Sequence, residues 1–228
     1  PEVISDTVGT VSDVEVIDEA NNENKDLSMK NFFISDLHFG HEAILKFDNR
    51  PWSSVKEMEE GLIDNWNSVV SSEDHVYHLG DFCWQKTDEY VRILKRLKGN
   101  IHLVKGNHDC GPRKELSKVI VDYKEYYDFT DSTTGYRVIC SHYPMLFYRH
   151  DSDPNVFMLC GHLHKTKEWD IMKNYVKQIR HDYVQYPDNR GQIIPVEACK
   201  PWMNYTPQIM EYLVKQLDSG VIYDDKKT

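Results

Sequence analysis

Residues 103–111 read "LVKGNHDCG". An apolar run with the look of a strand breaks straight into an amide, an imidazole and a carboxylate. Asn107, His108 and Asp109 are poor material for a core, because a buried polar group without a partner costs free energy. They are good material for holding a metal or a phosphate. Which it is depends on whether groups of the same chemistry stand elsewhere in the chain.

Four other apolar runs end the same way. "FFISDLH" ends in Asp36 and His38, and "VYHLGD" ends in Gly80 and Asp81. "RVICSH" ends in His142, and "VFMLCGHLH" ends in His162 and His164. An α/β sheet places ligand sites outside the carboxyl ends of its strands, so five such ends would meet in one crevice. Residues two apart on an extended segment point the same way, which suits Asp-x-His and His-x-His. Gly80, Gly106 and Gly161 permit sharp turns and close backbone approach.

Asp36, His38, Asp81, Asn107, His142, His162 and His164 make seven candidate ligands. A single zinc takes only three or four. Seven suits two ions sharing a bridging carboxylate, roughly 3.5–4 Å apart. Imidazole and oxygen without thiolate suits manganese, iron or zinc, with manganese favoured.

Around these motifs strands and helices alternate, which favours a parallel α/β core. "NFFIS", "HVYHLG" and "NIHLVKG" read as strands. "SVKEMEEGLIDNWNSVV" places Val55, Met58, Leu62, Ile63, Trp66 and Val69 on one helical face, capped by Ser53 or Ser54. "DEYVRILKRL" reads as a helix ending at Gly99. "KVIVDYKEYYDFT" and "YRVICSHYP" read as strands joined by a turn at "DSTTG". "QIIPVEA" is a late strand. "TPQIMEYLVKQL" is a final helix, with Thr206 as cap and Pro207 in its first position.

The 228 residues carry a net charge of −10, of which residues 1–28 hold eight acids against Lys25 alone. That segment reads as an acidic, flexible extension, with residues 29–228 as the folded domain. No basic tract suggests non-specific grip on nucleic acid. No apolar run reaches the roughly 18 residues that span a bilayer, and an intracellular, cytoplasmic protein is expected. Five scattered cysteines without a Cys-x-x-Cys pair read as buried thiols rather than a disulfide framework.

Taken together, "DLH" at 36–38, "GD" at 80–81, "GNHD" at 106–109, "SH" at 141–142 and "GHLH" at 161–164 resemble the five blocks of the calcineurin-like metallophosphoesterase superfamily. The resemblance covers about residues 29–215. "ISDLHFGHEAI", "NRPW", "NWN" and "YHLGDF" look like its small single-domain bacterial and phage branch. The resemblance implies two mixed β-sheets packed as a sandwich and flanked by helices, in four layers. It also implies that Asp36, His38 and His164 bind one ion, that Asn107, His142 and His162 bind the other, and that Asp81 bridges them. His108 would assist the leaving group, oriented and charged by Asp109.

The implied reaction is hydrolysis of a small phosphodiester or phosphomonoester, such as a nucleotide, by a metal-bridging hydroxide. The alternatives are a nuclease acting on DNA or RNA and a non-catalytic metal-binding scaffold. Candidate substrate contacts are Arg50, reaching a phosphate oxygen, His41, lining the pocket, and Tyr143, Tyr148 and Arg149, touching a base or sugar. His78, inside a strand, reads as a satisfied core histidine. No oligomeric state follows from the sequence.

Overall fold

A computed structural model describes residues 29–109, 114–182 and 191–223. The expectations for residues 1–28 and for Cys110 lie outside these residues.

The first sheet contains β1 (Asn31–Ile34), β2 (His75–His78), β3 (Asn100–Val104) and β4 (Asp122–Lys124), all parallel. The helices α1 (Glu42–Phe47), α2 (Val55–Val69) and α3 (Thr87–Leu94) connect the first three. The second sheet contains β5 (Tyr126–Thr130), β6 (Arg137–Ser141), β7 (Val156–Cys160) and β8 (Ile193–Pro195). There β5 runs antiparallel to β6 and the rest are parallel. The last elements among the described residues are β9 (Gln208–Ile209), antiparallel to β1, and α5 (Met210–Asp218). These are the two mixed sheets with flanking helices that the motifs implied.

Parallel strands covered on both faces must be apolar throughout. Every residue of β1 and β7 is accordingly buried, and the polar Asn31 that opens β1 is satisfied by donating to Asp131 Oδ1. The sheets meet through aromatic rings: Tyr77 of β2 lies 4.5 Å from Phe129 and 5.3 Å from Tyr127 of β5, centroid to centroid. They are also joined beyond their strand ends. Ser35 N donates to Val196 O, and Ala198 N donates to Ser35 O, each at 2.9 Å. That junction carries Asp36 from the end of β1 to the second sheet.

Several local expectations need correction. "KVIVDYKEYYDFT" is not one strand: β4 and β5 belong to different sheets, and the chain crosses between them at Glu125. The last helix begins at Met210 rather than at Thr206, because Gln208 and Ile209 pair with Phe33 and Phe32 on the open edge of β1. Ladder pairing there outweighs the Thr-Pro start signal. α3 stops at Leu94, five residues short of Gly99. Ser54 caps α2 by accepting from Glu57 N at 3.2 Å, but Val69 at its end is exposed. α4 (Lys167–Asp182) follows β7 and was not anticipated, since only Met172 and Val176 of its sixteen residues are buried.

His78 is buried but not satisfied, with neither ring nitrogen hydrogen-bonded. Burial pushes its pKa down to about 3, so it stays neutral. Among the described residues, Cys140 and Cys160 are buried free thiols, Cys199 is a half-buried one, and buried Cys83 Sγ accepts from Gln85 N at 3.4 Å. No helix among them is long and apolar enough to cross a membrane.

Candidate metal centre

The seven candidate ligands converge where the two sheets meet. The loops after β1, β2 and β3 supply Asp36, His38, Asp81 and Asn107, and those after β6 and β7 supply His142, His162 and His164. Asp81 is central. Its Oδ2 lies 3.7 Å from His38 Nε2 and 3.7 Å from His142 Nε2. On one side, His38 Nε2 faces His164 Nε2 at 3.2 Å, with Asp36 Oδ1 3.7 Å and 3.3 Å from them. On the other, Asn107 Oδ1 lies 2.8 Å from His142 Nε2 and 3.0 Å from His162 Nδ1.

This donor set fits cations. His142 Nδ1 lies 2.9 Å from Leu79 O, so it carries the hydrogen. With the hydrogen on Nδ1, the Nε2 lone pair can serve as an acceptor. It faces another acceptor, Asn107 Oδ1, and a positive ion between them would satisfy both. His164 repeats the logic. Its Nδ1 faces Asp48 Oδ1 and Oδ2 at 3.1 Å and 3.2 Å, leaving Nε2 for the site. Burial opposes charge on His164, but Asp36 and Asp48 outweigh it and raise the imidazole pKa. Burial likewise opposes ionisation of Asp36, yet His164 and His38 hold its carboxyl well below the usual range. Without an ion, the first cluster therefore keeps a proton that a cation would displace.

The backbone is bent to reach this arrangement. Asp36, His38, Asp81, His162 and His164 have φ of 56°, 52°, 56°, 75° and 42°. Left-handed backbone at a non-glycine residue costs on the order of 1–3 kcal/mol, and such strain concentrates at functional sites. Five of the nine such residues among those described are candidate ligands, which marks this crevice. Two glycines make room. A Cβ on Gly106 would strike the Asp81 carboxylate, and one on Gly161 would strike that of Asp36.

The remaining predicted residues divide. His108 borders the pair: its N donates to Asp81 Oδ1 at 2.9 Å and its Nε2 lies 3.9 Å from Asp81 Oδ2. Burial lowers the His108 pKa. Asp109 does not hold His108. Its oxygens accept from the N–H groups of Asp81, Phe82 and Gly106 and from Tyr90 Oη, bracing two ligand loops together. Burial raises its pKa. Tyr143 lines the crevice, 4.6 Å from the His162 ring. His41 stacks on Trp84 at 4.1 Å, and burial lowers its pKa to about 4.

Arg50 lies under the site, not over it. Its guanidinium donates to Leu37 O at 2.6 Å, Asp36 O at 2.7 Å and Asp48 Oδ2 at 3.2 Å. It cannot reach a phosphate from there. Tyr148 is buried, donating to Gln192 O. Arg149 lies outside the crevice, 4.0 Å from Asp128.

Sequence reasoning missed the support beneath the ligands. Asp48 is part of it, and so are Glu197 and Lys200. Glu197 accepts from His164 N, and Lys200 Nζ donates to His164 O at 2.6 Å. It also missed Trp84, whose ring lies 4.2 Å from that of His108. "FDNRPW" offered the only hint, two charges flanking Asn49 close behind the first motif.

Residues 29–180 match the model of the calcineurin-like phosphoesterase superfamily domain. The chain belongs to that superfamily. An uncharacterised protein of Methanocaldococcus jannaschii is 30% identical over 195 residues, covering 85% of this chain and 94% of the relative. The gene 66 protein of Mycobacterium phage L5 is 30% identical over 113 residues, 47% of this chain and 54% of that protein. A solved structure of a protein of unknown function from Aquifex aeolicus superposes with a TM-score of 0.53 at 26% identity, over 83% of this chain and 99% of that one. Members of this superfamily are in general metal-dependent phosphoesterases, and the His and Asp clusters here are of the kind that holds divalent ions.

Proposed function

We propose that this chain hydrolyses a small phosphoric ester with two divalent cations, manganese by preference. One observation carries the reading: the Asp81 carboxylate lies between two three-residue clusters at equal distance from His38 and His142. Asp36, His38 and His164 would hold one ion and Asn107, His142 and His162 the other, with Asp81 shared. When bound, such ions acidify water and draw charge from phosphate oxygens.

The chain's own groups do the rest. Asp48 and Leu79 O fix which nitrogen of His164 and His142 faces the site. His108 stands beside the Asp81 carboxylate with a partly exposed ring, placed to give a hydrogen bond to the departing oxygen. Asp109 keeps the Asp81 and Gly106 loops in register and so sets where His108 emerges.

The test is metal content by elemental analysis, with turnover of bis-p-nitrophenyl phosphate, p-nitrophenyl phosphate and 2′,3′-cyclic nucleotides in manganese. Asp81→Asn should lose ions and turnover together. His108→Ala should keep its ions and lose about 10²–10⁴-fold in kcat. Loss of ions in His108→Ala would overturn its assigned role. A metal-loaded protein inert on every substrate would overturn the hydrolase reading.

A further inference from the structure

Two clefts open onto the candidate metal centre and share a wall. The first, about 360 Å³, is bounded by Ala43, Ile44, Phe47 and Trp84 and reaches His108. The second, about 410 Å³, is bounded by Tyr143, Pro144, Leu146, Ile171 and Met172. His162 and Glu168 line both. These two arms of the crevice meet at a ligand of the metal pair, while a third, polar cleft lies on the Asn107–His142 side.

Both arms present apolar surface that folding left uncovered. Ten large hydrophobic side chains are exposed among the described residues. Five of them, Phe47, Trp84, Tyr143, Leu146 and Ile171, line these two clefts. Such clustering beside a concave polar site marks a ligand surface rather than chance exposure.

The charges point the same way. No lysine or arginine lines either cleft. Arg50 is tied to Asp48 and backbone carbonyls, and Arg149 faces Asp128. At the junction stands a carboxylate, Glu168, 3.8 Å from His162 Nε2. The lysine on the Asn107–His142 side, Lys105, lines a separate cleft and is held by Glu125 at 3.3 Å, so a second negative charge on a substrate seated in these two arms would meet Glu168 without a cation from their walls. A monoester also has only one organic substituent, which would leave one apolar arm wet.

We propose that the substrate is a monoanionic phosphodiester with two uncharged apolar or aromatic substituents. One lies in the Phe47–Trp84 cleft, the other in the Tyr143–Ile171 cleft, and the phosphate sits where they join. This rests on the phosphoesterase reading above.

The test compares bis-p-nitrophenyl, methyl p-nitrophenyl and p-nitrophenyl phosphate on the manganese-loaded protein. The expected order of kcat/KM is that order. Phe47→Ser and Ile171→Ser, both at exposed positions, should each lower kcat/KM on the bis-aryl ester about 5- to 10-fold. The methyl ester has one aryl arm, so the two substitutions should affect it unequally. Val121→Ser, exposed but away from both clefts, serves as control. Calorimetric titration gives a readout without turnover: diphenyl phosphate should bind more tightly than phenyl phosphate, and both substitutions should weaken it. Preference for the monoester, or indifference of the bis-aryl ester to both substitutions, overturns the inference and leaves the phosphoesterase reading standing. Failure to cleave any of the three overturns the reading on which it rests.

Discussion

Asp48 faces Nδ1 of His164 with both carboxylate oxygens, at 3.1 Å and 3.2 Å. That contact turns the other nitrogen toward Asp36 and His38. Partners of this kind orient ligating imidazoles and commonly contribute 10–100-fold in metal affinity. Asp48→Asn should therefore weaken metal binding by about 10–100-fold. Competition against a fluorescent chelator measures it, with circular dichroism confirming the fold.

Arg50 answers Asp48 from below, and its side chain is fully buried. Removing one partner of a buried ion pair strands the other charge. Arg50→Leu should cost about 3–5 kcal/mol in urea unfolding. Were Arg50 instead a phosphate contact, the loss would fall on KM with stability unchanged.

Trp84 stacks on His41 at 4.1 Å and meets His108 at 4.2 Å. It thereby restrains the imidazole assigned to the departing oxygen. Trp84→Ala should lower kcat about 10-fold on esters with poor alkoxide leaving groups. It should scarcely change kcat when the leaving group is p-nitrophenolate, which needs little help, although loss of the cleft wall should raise KM for aryl esters. Trp84→Phe should restore most of the loss. Equal losses of kcat on both leaving groups would show that Trp84 does not act through His108.

Gly106 and Gly161 admit the Asp81 and Asp36 carboxylates where a methyl group would collide. Gly106→Ala should reduce bound metal by at least half of its normal stoichiometry while leaving the far-ultraviolet circular dichroism intact. Elemental analysis decides it.

Asp131 is buried and accepts from Asn31 Nδ2, Thr133 Oγ1, Thr134 N and Thr134 Oγ1. Burial alone would raise its pKa, but the Thr134, Thr133 and Asn31 donors hold it below the usual 3.8. The unfolded chain then takes up the proton first as pH falls. Its stabilisation is complete above about pH 4–5 and is lost as pH falls through the lowered value. Asp131→Ala should cost about 2–3 kcal/mol at neutral pH. It should also flatten the acid limb of a plot of urea midpoint against pH.

The metal motifs were legible because each interrupts an apolar run with side chains that no core would keep. Asp36, Asp81, Asn107, His142 and His162 stand at strand ends, and strand ends are readable from composition. The direction a side chain takes is not. Arg50 near a metal motif reads equally as a phosphate contact or as a buried brace, and only the Asp36 and Leu37 carbonyls above it decide. Asp109 beside His108 reads as its partner until the N–H groups of Asp81, Phe82 and Gly106 claim both oxygens. α4 was illegible for another reason: Ile171 and Trp169 dilute its buried Met172–Val176 stripe, and Ile171 serves the cleft rather than the core. β9 was hidden by Thr206 and Pro207, a local start signal overridden by pairing with β1.

The chain crosses from one sheet to the other at Glu125, so four candidate ligands precede the crossing and three follow it. A protein cut in the exposed turn at 132–135 would yield two fragments, each with an incomplete half of the centre. Only their reassembly would rebuild it. A divalent cation would then act as the cement of a split protein, and fragment complementation would report the ion itself.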